Sequence, residues 1–198
     1  MSDTLLVDMF VEDRAHEDFL EAMVRRIADE EEKNVRIRIR SARGGHPRAL
    51  GEFRAFQLHL RRGAGGVAPD LMIAAIDANC NAFQTARQQI QDAVLPPFAE
   101  MCVPACPDPH IERWYLADLQ TFHRVVGITP SVPQSKCERD FYKHLLAQAV
   151  VDAGHPPTLG GIEFARELAE AMSLYRAGTS EASLKHFVEA LRGKFRLL

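Results

Sequence analysis

The sequence is short of aromatic residues, cysteine, positive charge and long apolar runs. One tryptophan and three tyrosines stand among 198 residues. No apolar stretch approaches the roughly 18 residues that a membrane-spanning helix requires, so no membrane span is expected. Four cysteines are present (Cys80, Cys102, Cys106 and Cys137), and only Cys102 and Cys106 lie close together. A structural zinc pattern needs a second such pair or histidine partners, so all four are expected as reduced thiols. The eight histidines form neither HxH nor HExxH, which argues against a zinc enzyme. GxxxxGK[ST] does not occur, so the chain brings no P-loop for ATP. The formal charge of -3 and pI near 6.2 exclude a globally basic nucleic-acid binder. Any such surface has to be local or shared with a partner. The start, MSDTLLVDMF, has neither a basic leader nor a small-residue cleavage site, and a cytoplasmic location is expected.

What is present is an ordinary globular composition, 46% hydrophobic and 26% charged. The length suits one domain with a sizeable core. Residues 4–11 (TLLVDMFV) read as a buried strand, followed by a helix over 13–32 with Phe19, Leu20, Met23, Val24 and Ile27 at helical spacing. Residues 34–41 alternate, with Val35, Ile37 and Ile39 on one face and Arg36, Arg38 and Arg40 on the other. That predicts a half-buried strand with a solvated basic face that blunts a sheet edge, the alternative being a phosphate-backbone contact. A helix over 48–62, a strand over 71–76 (LMIAAI), a helix over 82–93 and a short strand over 100–105 follow. Asp108-Pro109 reads as an N-cap and first helical position, opening a helix to 117. Four strand–helix units in alternation predict a mostly parallel four-stranded sheet with helices on both faces, over residues 1–127. Beyond Gly127 the proline-rich stretch 129–135 leads to three helical segments, 138–153, 161–177 and 180–196. Residues 128–198 are expected as a C-terminal helical extension packed on the core.

Carboxylates fall where strands end. Glu12 closes the first run and Asp77-Ala78-Asn79 follows the third. In an open parallel sheet those ends line the ligand crevice. Asp77 and Asn79, two apart, would point the same way in an extended segment and share one oxygen-loving cation such as magnesium or manganese. N-capping is the plainer role for both. Glu112 adds a third acid at the same edge, or a favourable charge at a helix N-terminus. Arg43-Gly44-Gly45-His46 would form either a phosphate-binding loop or a plain turn. Lys136, Arg139 and Lys143 would supply charge toward a transition-state phosphate, or simply be solvated. Trp114 and Tyr115 read as packing residues.

These residues carry a family resemblance. Val11-Glu12-Asp13 with Glu17-Asp18-Phe19-Leu20 behind it resembles the first Toprim motif, a glutamate at a strand end followed by an amphipathic helix. Ile76-Asp77-Ala78-Asn79-Cys80 resembles the second, an aspartate pair of the form DxD. Arg43-Gly44-Gly45-His46, the stretch His110-Ile111-Glu112-Arg113-Trp114-Tyr115-Leu116-Ala117-Asp118 and the tail around 183–191 are similar to a family of small stand-alone Toprim-like bacterial proteins of unknown function. That family is related to nucleases of the overcoming-lysogenization-defect type.

The resemblance implies a Toprim-like (Rossmann-like) α/β domain and magnesium- or manganese-dependent hydrolysis of DNA or RNA. It implies Glu12 as acid/base group and metal ligand, with Asp77, Asn79 and Glu112 completing the metal set. Lys136 is a catalytic candidate from its charge, and Arg43, Gly44, Gly45 and His46 are substrate-binding candidates. Asn79 departs from the family's second aspartate: it keeps a carbonyl oxygen but lacks the charge, so another acid, Glu112 or Asp13, would compensate. Relatives of this nuclease type work with an ATPase, fused or separate, so a partner ATPase in a phage-defence or toxin-like system is implied. The alternatives are a Toprim-like module that binds a partner or nucleic acid without cutting, and a small-molecule phosphatase. A homo-oligomer is left open.

Overall fold

The structure, a computed structural model, describes residues 4–41, 45–64, 66–138, 140–156 and 158–198. Its frame is four parallel strands: β1 (Leu5–Val11), β2 (Val35–Ser41), β3 (Leu71–Ala75) and β4 (Cys102–Ala105), in the order β2-β1-β3-β4. The helices between them are α1 (Arg14–Glu30), α2 (His46–Arg61) and α3 (Phe83–Ala93). This is an α/β architecture of Rossmann-like form. β1 pairs on one side with the strand that follows it and on the other with β3, so the winding reverses between β1 and β3. Outside the carboxyl ends of those two strands lies the crevice where such sheets bind ligands.

Alternation along the strands feeds two cores. Val7, Met9, Val11, Leu71, Ile73, Ala75 and Val103 pack on one face with α1 and the C-terminal helices. Phe10, Met72, Ala74 and Ile76 pack on the other with Ala49 and Phe53 of α2 and Ala86 and Ile90 of α3. Each large side chain fully withdrawn from water contributes roughly 1.5–3 kcal/mol. β2 is less simple than its alternation suggests. Arg38 grips the fully buried Asp8 with two hydrogen bonds, 2.7 and 2.6 Å long. Arg40 lies over the Phe56 ring at 4.2 Å, while Ile39 is exposed. The expectation of a solvated basic face is therefore corrected: Arg38 and Arg40 hold the sheet together, because Asp8 on β1 demands a countercharge.

After β4 come α4 (Ile111–Tyr115), α5 (Leu119–Val126), α6 (Phe141–Asp152), α7 (Ala165–Ala171), α8 (Leu174–Ser180) and α9 (Ala182–Leu197). Three expectations change here. Asp108 does not cap a helix: the Asp108-Pro109 peptide is cis, His110 is the N-cap residue and α4 starts at Ile111. The helix expected over 161–177 is broken between α7 and α8. The Arg26 guanidinium takes the carbonyls of Ala169 in α7 (3.0 Å) and of its C-cap residue Met172 (2.7 Å), and Ser173 starts a new helix by accepting from Arg176 N. Cys80 and Cys137 form a disulfide, their Cα atoms 4.8 Å apart, which corrects the expectation of four reduced thiols. Cys102 and Cys106 are free thiols, and burial pushes both up to about 12. No helix among the described residues is long and apolar enough to cross a membrane.

The C-terminal helices share the core of the sheet. Trp114 is fully buried, donates to Ser183 Oγ at 2.8 Å and stacks on Phe187. Tyr115 stacks on Phe19 and donates to Ala15 O at 2.7 Å. Asp118 is the main polar joint. It accepts from Arg176 through both oxygens (2.9 and 2.8 Å), from Ser173 N (2.8 Å) and from Thr121 Oγ1 (2.8 Å). Burial alone would raise its carboxyl, but the Arg176 hydrogen bond and the Ser173 and Thr121 donors outweigh burial and hold it below the usual carboxylate range. A depressed folded pKa adds stability above the unfolded value of 3.8 and loses it as pH falls below that value. Asp118→Asn is therefore expected to lower the unfolding free energy by about 2–4 kcal/mol at neutral pH. The deficit should narrow below pH ~4. Urea unfolding at several pH values checks this; a deficit that is absent at pH 7, or constant down to pH 3, contradicts it.

Candidate functional site

Strand ends and helix starts deliver the site. β1 stops at Val11 and α1 begins at Arg14, so Glu12 and Asp13 form the turn between them. Asp13 caps α1 by accepting from His16 N at 3.1 Å. β3 stops at Ala75, and the 76–81 loop is pinned to the end of β4 and the segment after it by three backbone bonds, Ile76 N to Ala105 O (3.1 Å), Ala78 N to Pro107 O (2.8 Å) and Asn79 N to Pro109 O (2.9 Å). Glu12 Oε1 accepts from Asp77 N at 3.2 Å. The two acids expected at one sheet edge therefore meet across the switch point.

His16 holds the cluster together, and sequence reasoning missed it. It is fully buried, with Nδ1 2.9 Å from Asp13 Oδ1 and Nε2 3.1 Å from Asp77 Oδ1. A ring with carboxylate oxygens at both nitrogens must donate from both, which only the imidazolium does. Burial disfavours that cation, but the Asp77 charge and the Asp13 hydrogen bond outweigh it and raise His16 well above its usual value. Asp13 shows the converse. Burial pushes it up, yet the His16 hydrogen bond and charge bring it down to about 2. A signal was available: His16 occupies the core stripe of α1, three and four residues before Phe19 and Leu20.

Glu12 and Glu112 carry the strain. Burial, then the Asp77 charge, raises Glu12 to about 7. Glu112, buried in the first turn of α4, is raised by burial first and by the Asp77 charge. Asp77 thus acts electrostatically on both, and the three acids share one neighbourhood. His46, the first residue of α2, has Nδ1 3.9 Å from Glu12 Oε1, and burial lowers its pKa. Gly45 precedes it with φ 77°, a backbone that glycine adopts freely. Arg43, Gly44 and Arg139 lie outside the described residues.

Two other expected residues are engaged by other groups. Asn79 has φ 54°, so the loop is not extended there, and the expectation that its side chain projects with that of Asp77 is corrected. Its Nδ2 donates to Asp77 O (3.2 Å) and its Oδ1 faces His110 Nε2 (3.2 Å). Lys136 Nζ binds the Asp108 carboxylate at 2.9 and 3.0 Å and reaches Asn81 O at 3.5 Å. Among the described residues, no group of three or more His, Cys, Asp and Glu side chains is arranged to hold a metal ion. No protein-family model, curated protein or solved structure matches the chain.

If His16 is the countercharge that lets Asp77 sit beside Glu12, then His16→Leu leaves Asp77 without it. An unfolding free energy lower by about 3 kcal/mol is expected. Urea unfolding at neutral pH measures it, and an unshifted midpoint with unchanged slope contradicts the assignment.

Proposed function

We propose that this protein is a Toprim-type, magnesium-dependent phosphodiesterase that cleaves DNA or RNA. The supporting observation is the meeting of Glu12 and Asp77 at the switch point of a parallel sheet, where the Glu12 carboxylate accepts from Asp77 N and the Asp77 carboxylate is backed by the buried His16. The donor chemistry fits the metal. Magnesium is usually held by one or two carboxylates, with water and substrate phosphate filling the remaining positions. Glu12, raised to about 7 by burial and by Asp77, is a carboxylate that a nearby cation would relieve. Glu12 and Asp77 would hold the ion, and the buried Glu112 would add negative charge to the same neighbourhood. Manganese would serve in the same oxygen shell.

Bound there, the ion would polarise the phosphoryl group and activate a water molecule. The chain's own residues do the rest. Glu12 takes or returns a proton at its carboxylate. His46, with Nδ1 3.9 Å from Glu12 Oε1, moves a proton or meets a phosphate oxygen. Gly45 and His46, at the start of α2, offer backbone amides toward the substrate. His16 keeps Asp77 in place and touches no substrate. Lys136, ion-paired with Asp108, contributes positive charge at the rim. By the same resemblance the hydrolysis is coupled to a separate ATPase in a phage-defence or toxin-like system, and the protein works in the cytoplasm.

A second reading has its own support. Because His16 already neutralises Asp77, and Asn79 is engaged by His110, the same edge serves a Toprim-like module that binds nucleic acid without cutting. One experiment separates them. Plasmid DNA, single-stranded DNA and total RNA are incubated with magnesium or manganese and the wild-type, Glu12→Gln or Asp77→Asn chain. Metal-dependent cleavage that falls about 100-fold or more in Glu12→Gln is expected. If calorimetry detects neither metal and Glu12→Gln changes no activity, the nuclease reading is lost.

A further inference from the structure

A second cavity, of about 460 Å³, opens at the seam between the sheet and the C-terminal helices. Phe83, Asp108, Arg113, Lys136, Tyr142 and Glu181 supply its chemistry. That volume is in the range of small-molecule sites, about 300–1,000 Å³. It shares a wall with the carboxylate site, because the 107–110 segment that binds the Asp77-Ala78-Asn79 loop also bounds the cavity.

Its polar groups come as two opposed pairs. Arg113 and Glu181 form an ion pair at very short range, both nearly buried. Lys136 and Asp108 form the other, nearer solvent. Two positive and two negative charges cancel, so a phosphate alone gains little net field here. A neutral, flat ligand that offers both donors and acceptors gains more. The serines of the wall are engaged elsewhere: Ser135 Oγ donates to Glu138, Ser180 Oγ donates to Ala117 O, and Ser183 Oγ accepts from Trp114 Nε1. The Tyr142 hydroxyl is engaged too, donating to Pro133 O and accepting from Ser135 N, which leaves its ring as apolar wall. Phe83 supplies a second ring, in edge contact with His186.

We infer that this cavity binds a guanine base, with the Glu181 carboxylate accepting from N1–H and N2–H, Arg113 or Lys136 donating to O6, and Phe83 against the ring face. Guanine presents an acceptor beside two donors on one edge, which is the complement of a cation beside a carboxylate. Adenine, cytosine and uracil do not offer two adjacent donors. Burial, more than the opposing pull of Arg113, raises Glu181 to about 7, so its carboxylate is one that added donors would stabilise. The choice of a nucleic-acid base rests on the phosphodiesterase reading: a base seated here would belong to the nucleotide beside the scissile phosphate.

The test uses free nucleosides without metal, so that nothing can be cleaved. Trp114 is the only tryptophan and is bonded to the cavity wall, so its fluorescence reports occupancy. Guanosine is expected to bind and to change that emission, with inosine, which lacks N2–H, about tenfold weaker. Adenosine, cytidine and uridine should bind at least as weakly as inosine. Glu181→Gln should weaken guanosine about tenfold. Phe83→Leu, which leaves the ion pairs alone, should also weaken it should Glu181→Gln disturb the fold. Absence of guanosine binding, equal affinity for all nucleosides, or no effect of either substitution overturns the assignment. Metal-dependent cleavage without guanosine binding removes only the base pocket; guanosine binding without cleavage supports the pocket and removes only the nuclease reading.

Discussion

The site depends on one buried imidazolium. Delivering Glu12, Asp13, Asp77 and Glu112 to one sheet edge sets like charges against one another in a partly dry crevice. Without a countercharge the folded state would have to protonate them or move them apart. His16 supplies that countercharge from the first turn of α1 and binds an acid at each ring nitrogen. It therefore couples the β1–α1 turn to the loop after β3, the two elements that flank the switch point. Glu12 and Glu112, which His16 does not bind, are the ones that burial and the Asp77 charge push upward.

The C-terminal helices complete the same frame. Arg26 of α1 ends α7, Asp118 binds Arg176 of α8, and Trp114 of α4 binds Ser183 of α9. Each joint links the sheet's helices to the tail through a buried or half-buried polar bond, and the apolar core runs through both without interruption. The tail thereby covers one sheet face and forms the seam that holds the second cavity. Both candidate sites meet along the 107–110 segment, so a change in one would be felt by the other through the backbone bonds of Ala78 and Asn79.

The strands and the first three helices were legible because their signals are local. Period-two and helical apolar spacing located β1, α1, β3 and α3 to within a residue or two, and strand–helix alternation implied the parallel sheet. The acids at the strand ends followed from the same boundaries. What escaped notice depends on partners far off in the chain. The break between α7 and α8 is made by Arg26, more than 140 residues earlier. The Cys80–Cys137 pair spans 57 residues. The basic face of β2 looked solvated because Asp8, its buried partner, lies on another strand. His16 was the exception, a local signal passed over: a polar residue inside an apolar stripe is a buried group in need of partners.

Asn79 is where backbone and chemistry pull in different directions. Under the proposed Toprim-type reading, it stands where a second aspartate would be. In the fold it holds φ 54°, a left-handed conformation that asparagine tolerates better than most residues. Its Nδ2 donates to the Asp77 carbonyl, a bond that a carboxylate cannot make. An aspartate there would turn an oxygen toward an oxygen and add a charge to a cluster that has one imidazolium to neutralise it. The asparagine thus has a structural reason to be present: it fixes the loop that positions Asp77. Under the proposed magnesium reading, the charge offered to a cation would then come from Glu12 and Asp77, with water and substrate phosphate supplying the remaining oxygens.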